Sequence, residues 1–416
     1  MSRSVLDRGV QVGHAIRGSI QGAGLLVLAL ATSCSSTTAV KNDDAGAVPQ
    51  HANAAVAVTP LDRTRDVPTD TTVMVAADGG TLKEVTVKAV KGTQGSLQGV
   101  LSADHTQWRS RGTAAPGASY EVTVTAVNAA GAVTRKTTSF STVKEKGTFA
   151  IESLMPSKDT TGLTVGVGMP VMIAFDKDVT DRVSVERNLF IHTSKPVLGA
   201  WHWFDNKTVH FRPKHYWPAR TKVRVEARLA GVRGGAGLYG KRNQEIEFKV
   251  GRSQITRGST NSHQLTVKRD GKTVRRIPMS AGQGGVWKYH TTSGIHLAMS
   301  REPVTVMTSP GIGPGSAGYY QMTVYNTVRI SNSGEYIHSA PWSVGSQGYS
   351  NVSHGCVNVS PDNAKWFIDN TLIGDPIIIT GSPRPLEPTN GWGQWQENWK
   401  EWLKWSSVKH FTTEDV

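Results

Sequence analysis

Short runs in which apolar and polar residues alternate cover most of the chain after residue 57. The first set lies between residues 58 and 143, with examples at 85–90 and 120–127, and the second lies between 151 and 250. A period of two, with β-branched residues in the runs and Gly, Asp or Asn between them, is typical of half-buried strands. The pattern therefore predicts two modules built mainly from short β-strands.

The two sets repeat at the spacing of an immunoglobulin-like sandwich. Pro116 and Pro218 each begin a segment that leads into an alternating strand ending in Ala, and they are separated by about 100 residues, the length of one such sandwich. We predict a duplication, with module A at 58–145 and module B at 146–252. Module B also contains tryptophans that either stack on a glycan or fill the core: Trp201, Trp203 and Trp217. The core interpretation is favoured, and both modules are then spacers.

The N-terminal segment has the pattern of a secretory signal. A basic stretch precedes a run of nine apolar or small residues at 23–31, too short for a transmembrane helix, which needs about 20. Cys34 follows, and this junction resembles a bacterial lipoprotein lipobox, in which the cysteine becomes the lipidated N-terminus. The resemblance implies a signal at 1–34 and a lipid anchor on Cys34, with a flexible tether at 35–57. An ordinary signal peptide cut nearby is the alternative.

Composition and charge narrow the possible chemistry. The 416 residues carry a net charge of +14, but Lys and Arg are spread through every module, which argues against a nucleic-acid partner and favours anionic wall polymers or lipid head groups. Two cysteines cannot form a disulfide framework or a four-Cys zinc site. The histidines lack metal-ligand spacing, and the glycine-rich loop at 282–285 lacks the Lys-Ser/Thr ending of a phosphate loop. We expect neither a metal nor a cofactor.

The second cysteine has the neighbours of a nucleophile. A strand, a turn and a second strand are predicted over 262–279, and His338 lies on a later alternating strand, 18 residues before Cys356. A β-turn-β arrangement would bring imidazole and thiol together, and a nearby histidine favours the reactive thiolate. Gly355 permits a sharp turn that aims backbone N–H groups at a developing oxyanion. The alternative is a buried, inert thiol.

These residues resemble the signature of a known family. The motif His338…Ser353-His354-Gly355-Cys356-Val357-Asn358 is similar to that of the L,D-transpeptidases, which cross-link peptidoglycan through a YkuD-type catalytic domain, and the resemblance covers about 255–382. The sandwich modules, the lipobox and the Trp-rich tail are similar to mycobacterial lipoprotein members. The implied fold is mainly β, with two immunoglobulin-like sandwiches, a β-rich catalytic domain at 253–382 and a Trp-rich, helical C-terminal extension at 383–416.

The resemblance implies a mechanism and its residues. Cys356 attacks the carbonyl of the third residue, a meso-diaminopimelate, of a donor tetrapeptide stem, and His338, oriented by the backbone carbonyl of Ser339, takes the thiol proton. D-Ala leaves, and the side-chain amine of a second stem completes a 3→3 cross-link. Acylation by carbapenems is also implied. The residues implied in the oxyanion hole or in substrate binding are Gly355, Tyr320, His354, Asn358, Ser353 and Trp342.

Partners and location follow from the same resemblance. The expected partners are peptidoglycan stem peptides and, through the lipid anchor, the outer face of the cell membrane toward the wall. Two other functions remain open on sequence alone. One is a Cys–His hydrolase, in which water takes the acyl group. The other is a non-catalytic wall-binding lipoprotein that works through its sandwiches and tryptophans.

Two further segments carry expectations about structure. Residues 300–323 lack an apolar period and are rich in Gly and Pro, so we expect a long loop, which the resemblance places as a lid over the donor site. The extension has tryptophans at helical spacing, which predicts one face of a single helix. We expect this helix to pack on the catalytic domain rather than on a sugar or membrane surface. The tryptophans are Trp392, Trp395, Trp399, Trp402 and Trp405.

Overall fold

A computed structural model describes residues 53–91, 96–159, 162–309, 312–317 and 319–415. The predicted signal, Cys34 and most of the predicted tether lie outside these residues. Within them, no helix is long and apolar enough to cross a membrane. The described chain consists mainly of strands, as predicted, with few and short helices.

Module A is a sandwich of two four-stranded sheets, in the orders β1-β3-β6-β5 and β2-β8-β7-β4. Alternate residues of its strands point inward, as in β7, where Tyr120, Val122, Val124 and Ala126 are all buried. Its strands are β1 (Ala55–Thr59), β2 (Thr64–Val67), β3 (Met74–Asp78), β4 (Gly80–Lys91), β5 (Gly99–Leu101), β6 (Gln107–Ser110), β7 (Ser119–Asn128) and β8 (Val133–Thr142).

Module B is a larger sandwich with an aromatic core. Trp201, Trp203 and Trp217 are 0%, 1% and 2% exposed, which confirms that they fill the core. Its elements are β9 (Gly147–Phe149), β10 (Ile151–Met155), β11 (Thr164–Val165), β12 (Val171–Phe175), α1 (Arg182–Glu186), β13 (Leu189–Thr193), β14 (Leu198–Trp203), β15 (Thr208–Pro213), β16 (Lys222–Ala227), β17 (Arg233–Gly235), β18 (Leu238–Gly240) and β19 (Gln244–Val250).

The third domain has two sheets, in the orders β22-β21-β20-β28-β23 and β24-β25-β26-β27. The predicted hairpin at 262–279 is present as β21 and β22. Two 3₁₀ turns cover Trp287–Tyr289 and Pro341–Ser346. The regular elements are β20 (Gln254–Ser259), β21 (Gln264–Arg269), β22 (Lys272–Pro278), β23 (Gly294–Leu297), β24 (Ser300–Thr308), β25 (Gln321–Arg329), β26 (Tyr336–Ser339), β27 (Val357–Val359), α2 (Pro361–Asn370) and β28 (Pro376–Thr380).

The expectation of a long loop over 300–323 was wrong for half of that range. Residues 300–308 form β24, which pairs antiparallel with β25 from Ser300 opposite Arg329 to Thr308 opposite Gln321. None of the β24 residues is fully buried, so the strand does not show the apolar period that marks a core strand. The connection between β24 and β25 is therefore restricted to about 309–320.

Module B meets the third domain through close backbone contact. Gly166 N–H donates to the Ile373 carbonyl (2.7 Å), and Gly168 N–H donates to the Gly374 carbonyl (2.9 Å). A Cβ at Gly166 would lie 2.2 Å from the backbone nitrogen of Asp375, so only glycine allows this approach. The two domains are packed together without an intervening linker.

The C-terminal extension is not a single helix. Its helix, α3, covers only Trp399–Lys404 and begins after Asn398, whose side chain accepts from Glu401 N–H (3.0 Å). Trp392 and Trp395 lie in the turns before it, where Gly391 has a φ of +91° that interrupts a helical path. The helical spacing of the tryptophans therefore arises from contacts with one surface rather than from one helix.

The extension packs mainly on module B, so the expected partner was also wrong. The Arg212 guanidinium of β15 lies 4.7, 5.4 and 4.6 Å from the ring centres of Trp395, Trp399 and Trp402, and the Trp402 indole donates to the Ala200 carbonyl (3.0 Å). Two short strands then extend the two larger module B sheets, next to β14 and β13. They are β29 (His410–Thr412) and β30 (Glu414–Asp415).

We predict that Trp402→Ala lowers the free energy of unfolding by about 3–5 kcal/mol, because a buried indole and its packing are lost. Trp405 is 58% exposed, and Trp405→Ala is the matched control, with an expected change below about 0.5 kcal/mol. Denaturant titration of both variants measures the difference. Equal effects of the two substitutions would contradict the role assigned to Trp402.

Candidate active site

The side chains of His338 and Cys356 are positioned by two parallel strands. β26 pairs with β27 so that Ile337 lies opposite Val357 and His338 lies opposite Asn358. Ile337 and Val357 are buried in the domain core. Because successive side chains point to opposite faces of a strand, His338 and the residues flanking Val357 face the other side. The connection is a parallel crossover through the 3₁₀ turn Pro341–Ser346, not the simple β-turn-β expected.

The loop before the cysteine is held in an unusual backbone conformation. Gly355 has a φ of +135°, which L side chains rarely adopt, although a Cβ there would find its nearest neighbour only at 3.8 Å. The Ser353 hydroxyl accepts from Gly355 N–H (3.1 Å) and donates to the Cys356 carbonyl (2.6 Å). Thr291 donates to the Gly355 carbonyl (2.7 Å). Glycine is thus needed here for its conformation, as the sequence suggested.

The His338 ring is oriented by its own strand. Its Nδ1 lies 2.9 Å from the Ser339 carbonyl, and because a carbonyl can only accept, Nδ1 carries the proton and Nε2 is the basic nitrogen. His338 is 3% exposed, and this burial lowers the pKa of the imidazole below its ordinary value. The resting ring is therefore neutral and able to accept a proton.

The Cys356 thiol is protonated at rest. The pKa of Cys356 is raised to about 12, mainly by burial and in smaller part by the Glu335 carboxylate, against the opposing effect of the Tyr336 backbone hydrogen bond. Sγ lies 3.6 Å from the Gly334 carbonyl, which accepts from the thiol. A neutral thiol and a neutral imidazole thus share the site, so the thiolate forms only when a base removes the proton.

The side chains of Cys356 and His338 both line one cavity of about 450 Å³. Ser339 does not line it but holds the His338 ring. The structure brings together every other residue predicted for the site on this surface: Cys356, His338, Gly355, Tyr320, His354, Asn358, Ser353 and Trp342.

Aromatic rings shape one wall of the cavity. The His354 ring lies 4.7 Å from Tyr289 and 5.5 Å from Tyr320, measured between ring centres. Tyr320 N–H is held by the Ser309 hydroxyl (2.6 Å). Burial raises the pKa of the Tyr320 phenol, which therefore remains a proton donor at neutral pH. Asn358 donates to the Ser343 hydroxyl (3.2 Å) and so fixes the turn after His338.

Three charged residues that line the cavity were missed by sequence reasoning: Lys288, Glu335 and Arg384. Glu335 is 3% exposed and precedes the His338 strand. Arg384 lies in the predicted C-terminal extension, outside the predicted catalytic domain, yet lines the same cavity. The position of Glu335 beside the strand offered a weak signal, whereas nothing in the local sequence of Arg384 points to the site. Among the described residues no group of three His, Cys, Asp or Glu side chains is arranged to hold a metal ion.

Comparison with known proteins assigns families to both parts of the chain. Residues 256–379 match the family described as L,D-transpeptidase catalytic domain, and residues 64–233 match the family described as bacterial Ig domain. The second match spans strands of both sandwich modules.

Individual relatives agree with this assignment. The chain is 36% identical to L,D-transpeptidase 2 of Mycobacterium tuberculosis over 339 residues, 81% of each chain. It is 41% identical to L,D-transpeptidase 1 of Mycobacterium tuberculosis over 224 residues, 53% of this chain and 82% of that protein. A solved structure of an LD transpeptidase in complex with imipenem is 39% identical, with a TM-score of 0.47, and covers 56% of this chain and 99% of that one.

We predict that alkylation of Cys356 by iodoacetamide accelerates about tenfold per pH unit from pH 7 to 10 without a plateau, because the thiolate fraction rises that steeply below the pKa. Glu335→Gln removes a like charge and should increase the rate at each pH. Peptide-level mass spectrometry measures the rate, with Cys356→Ala as the blank. A plateau below pH 9 would show that the resting thiol is already activated.

Proposed function

Because the chain belongs to the L,D-transpeptidase family, we propose that it cross-links peptidoglycan through an acyl-enzyme on Cys356. Peptidoglycan cross-linking by L,D-transpeptidation is the activity of the family. The finer proposal is a 3→3 cross-link, made from the third residue of a donor tetrapeptide stem. One observation carries it: Cys356 and a His338 with a free Nε2 face the same cavity.

In the first half-reaction, His338 Nε2 takes the thiol proton as Sγ attacks the carbonyl carbon of the donor's third residue, meso-diaminopimelate. The tetrahedral oxyanion is stabilised by the Cys356 N–H and the Tyr320 hydroxyl. Gly355 N–H donates to the Ser353 hydroxyl in the free enzyme. It also stabilises the oxyanion once that hydrogen bond is broken. Collapse breaks the amide bond, the proton on Nε2 passes to the leaving amine, and D-Ala departs from a thioester.

In the second half-reaction, the side-chain amine of an acceptor stem attacks the thioester carbonyl. His338 Nε2 takes a proton from this amine and returns it to the departing Sγ, which restores the neutral pair. The Nδ1 contact to the Ser339 carbonyl (2.9 Å) supports this role, because it keeps Nε2 aimed at the cavity in both steps. His354, Trp342 and Asn358 shape the walls around the reacting bond.

We predict that a carbapenem adds its mass covalently to the intact protein and that Cys356→Ala abolishes the adduct. His338→Gln should slow adduct formation by about 100-fold or more, since general-base catalysis contributes on the order of 10²–10⁴. The matched control is His105→Gln, an exposed histidine of module A, which should leave the rate unchanged. A folded protein that forms no adduct, or an adduct that survives Cys356→Ala, would contradict the proposed nucleophile.

We further propose that the chain is a lipoprotein on the outer face of the cell membrane. The support is the sequence alone: a basic leader, the apolar run at 23–31 and Cys34 after it. A peptidoglycan substrate also requires export. Several acyl chains on Cys34 would provide stable anchoring, because a single chain binds a bilayer only weakly.

We predict that Cys34→Ala moves the protein from the membrane fraction to the soluble exported fraction. Cys356→Ala is the matched control, since it removes the other thiol without touching the anchor, and it should remain with the membrane. Immunoblots of fractionated cells measure both. A wild-type protein in the soluble exported fraction would favour an ordinary signal peptide.

A further inference from the structure

Two opposite charges line the cavity without pairing with each other. They are the Glu335 carboxylate and the Arg384 guanidinium. Among the described residues, neither is in an ion pair within 4 Å; the Arg384 charge acts on the Glu387 carboxylate, whose pKa it helps to lower, only from beyond that distance. Unpaired charges at a buried or half-buried site are costly, so a cavity that retains one of each sign is suited to a ligand that supplies the missing partners.

Glu335 is fixed in place next to the predicted nucleophile. Its two carboxylate oxygens accept from Thr292 N–H and from the Thr292 hydroxyl, each at 2.6 Å. A Cβ placed on Gly355 would lie 3.8 Å from Glu335 Cγ, so the carboxylate adjoins the loop that carries Cys356. A carboxylate has about four acceptor positions, and Thr292 uses two. The remaining positions can accept from an ammonium group.

Arg384 is anchored beside the same pair of residues. Ser293 N–H donates to the Arg384 backbone carbonyl (2.7 Å). Consecutive residues thus hold the two sites: Thr292 bonds the Glu335 carboxylate, and Ser293 bonds the Arg384 backbone. Further along the segment, the Asn390 side chain bonds Ser333 N–H (2.8 Å), which ties it to the loop before Glu335. The Nε of Arg384 is buried and has no hydrogen-bond partner among the described residues. The segment that carries this guanidinium is therefore held in place, while its Nε donor is left unsatisfied.

We propose that Glu335 and Arg384 together bind a zwitterionic amino-acid group at the free end of the donor's third side chain. Glu335 accepts from its ammonium, and Arg384 donates to its carboxylate. This proposal rests on the proposed function. A diaminopimelate side chain ends in such a group, with ammonium and carboxylate on one carbon, whereas a lysine side chain ends in an ammonium alone. The pair thus selects the third residue of the donor.

The third charged lining residue does not compete for this role. The Lys288 ammonium lies 5.3 Å from the centre of the Tyr289 ring, within the range of a cation–π contact. Lys288 therefore already has a contact in the cavity wall, whereas Arg384 keeps a buried Nε that has no hydrogen-bond partner among the described residues.

The test compares D-Ala release from three soluble tetrapeptide donors at a constant concentration of acceptor amine. Their third residues are meso-diaminopimelate, the same residue amidated at the side-chain carboxyl, and lysine. We expect the full-length wild type to favour the first donor by about 10- to 100-fold in kcat/KM, the range of a charge-assisted hydrogen bond. Arg384→Gln should reduce that donor to the level of the other two and leave those unchanged, and Arg384→Lys should recover part of the preference.

The Glu335→Gln variant tests recognition of the donor's side-chain ammonium. It should lower kcat/KM for all three donors, each of which has a side-chain ammonium, but not for a donor whose side-chain amine is acetylated. Arg276→Gln, at an exposed arginine of β22, is the charge-matched control and should keep the wild-type preference. Thermal unfolding checks that each variant is folded.

The outcomes distinguish failure of the binding proposal from failure of the proposed transpeptidase function. Equal turnover of the donors by the wild type, or a preference that survives Arg384→Gln, overturns the binding proposal and leaves the transpeptidase function intact. No release of D-Ala from any donor by the folded wild type would overturn both.

Discussion

The parallel pairing of β26 with β27 is the constraint on which the site depends. Ile337 and Val357 must both enter the core, and this requirement sets the register and the facing of the two strands. A slip of one residue would send His338 into the core and remove it from the cavity. Ordinary hydrophobic packing therefore fixes the relative position of the proposed base and the proposed nucleophile, which are 18 residues apart in sequence.

The electrostatics of the site favour the neutral forms of Cys356 and His338. Burial disfavours both the thiolate of Cys356 and the imidazolium of His338, and the nearby Glu335 carboxylate adds to the first effect. A donor stem that brings a cation to Glu335 also removes the repulsion between that carboxylate and the forming thiolate. In the proposed complex, substrate binding and activation of the Cys356 thiol are coupled through the Glu335 side chain.

The sequence predicted correctly those features that depend on a few neighbouring residues. Alternation predicted the sandwiches, and the motif around Cys356 predicted residues that the structure gathers on one cavity, because each follows from a few neighbouring positions. The extension was misjudged because its tryptophans are spaced by contact with Arg212 and module B, which no periodicity reveals. Arg384 was missed for a related reason: its place in the cavity depends on a segment that returns across the third domain.

Because the C-terminal extension contributes strands to module B, the domains do not simply follow one another along the chain. Module B receives β29 and β30 from beyond the third domain, so in topological terms the catalytic domain is an insertion into a sandwich that the last residues of the chain complete. Two covalent connections, one at each end, restrict its rotation more than a single hinge would. During synthesis, the module B edges at β13 and β14 stay unpaired until residues 410–415 have followed the third domain, so these two sheets are completed only after that domain has been made.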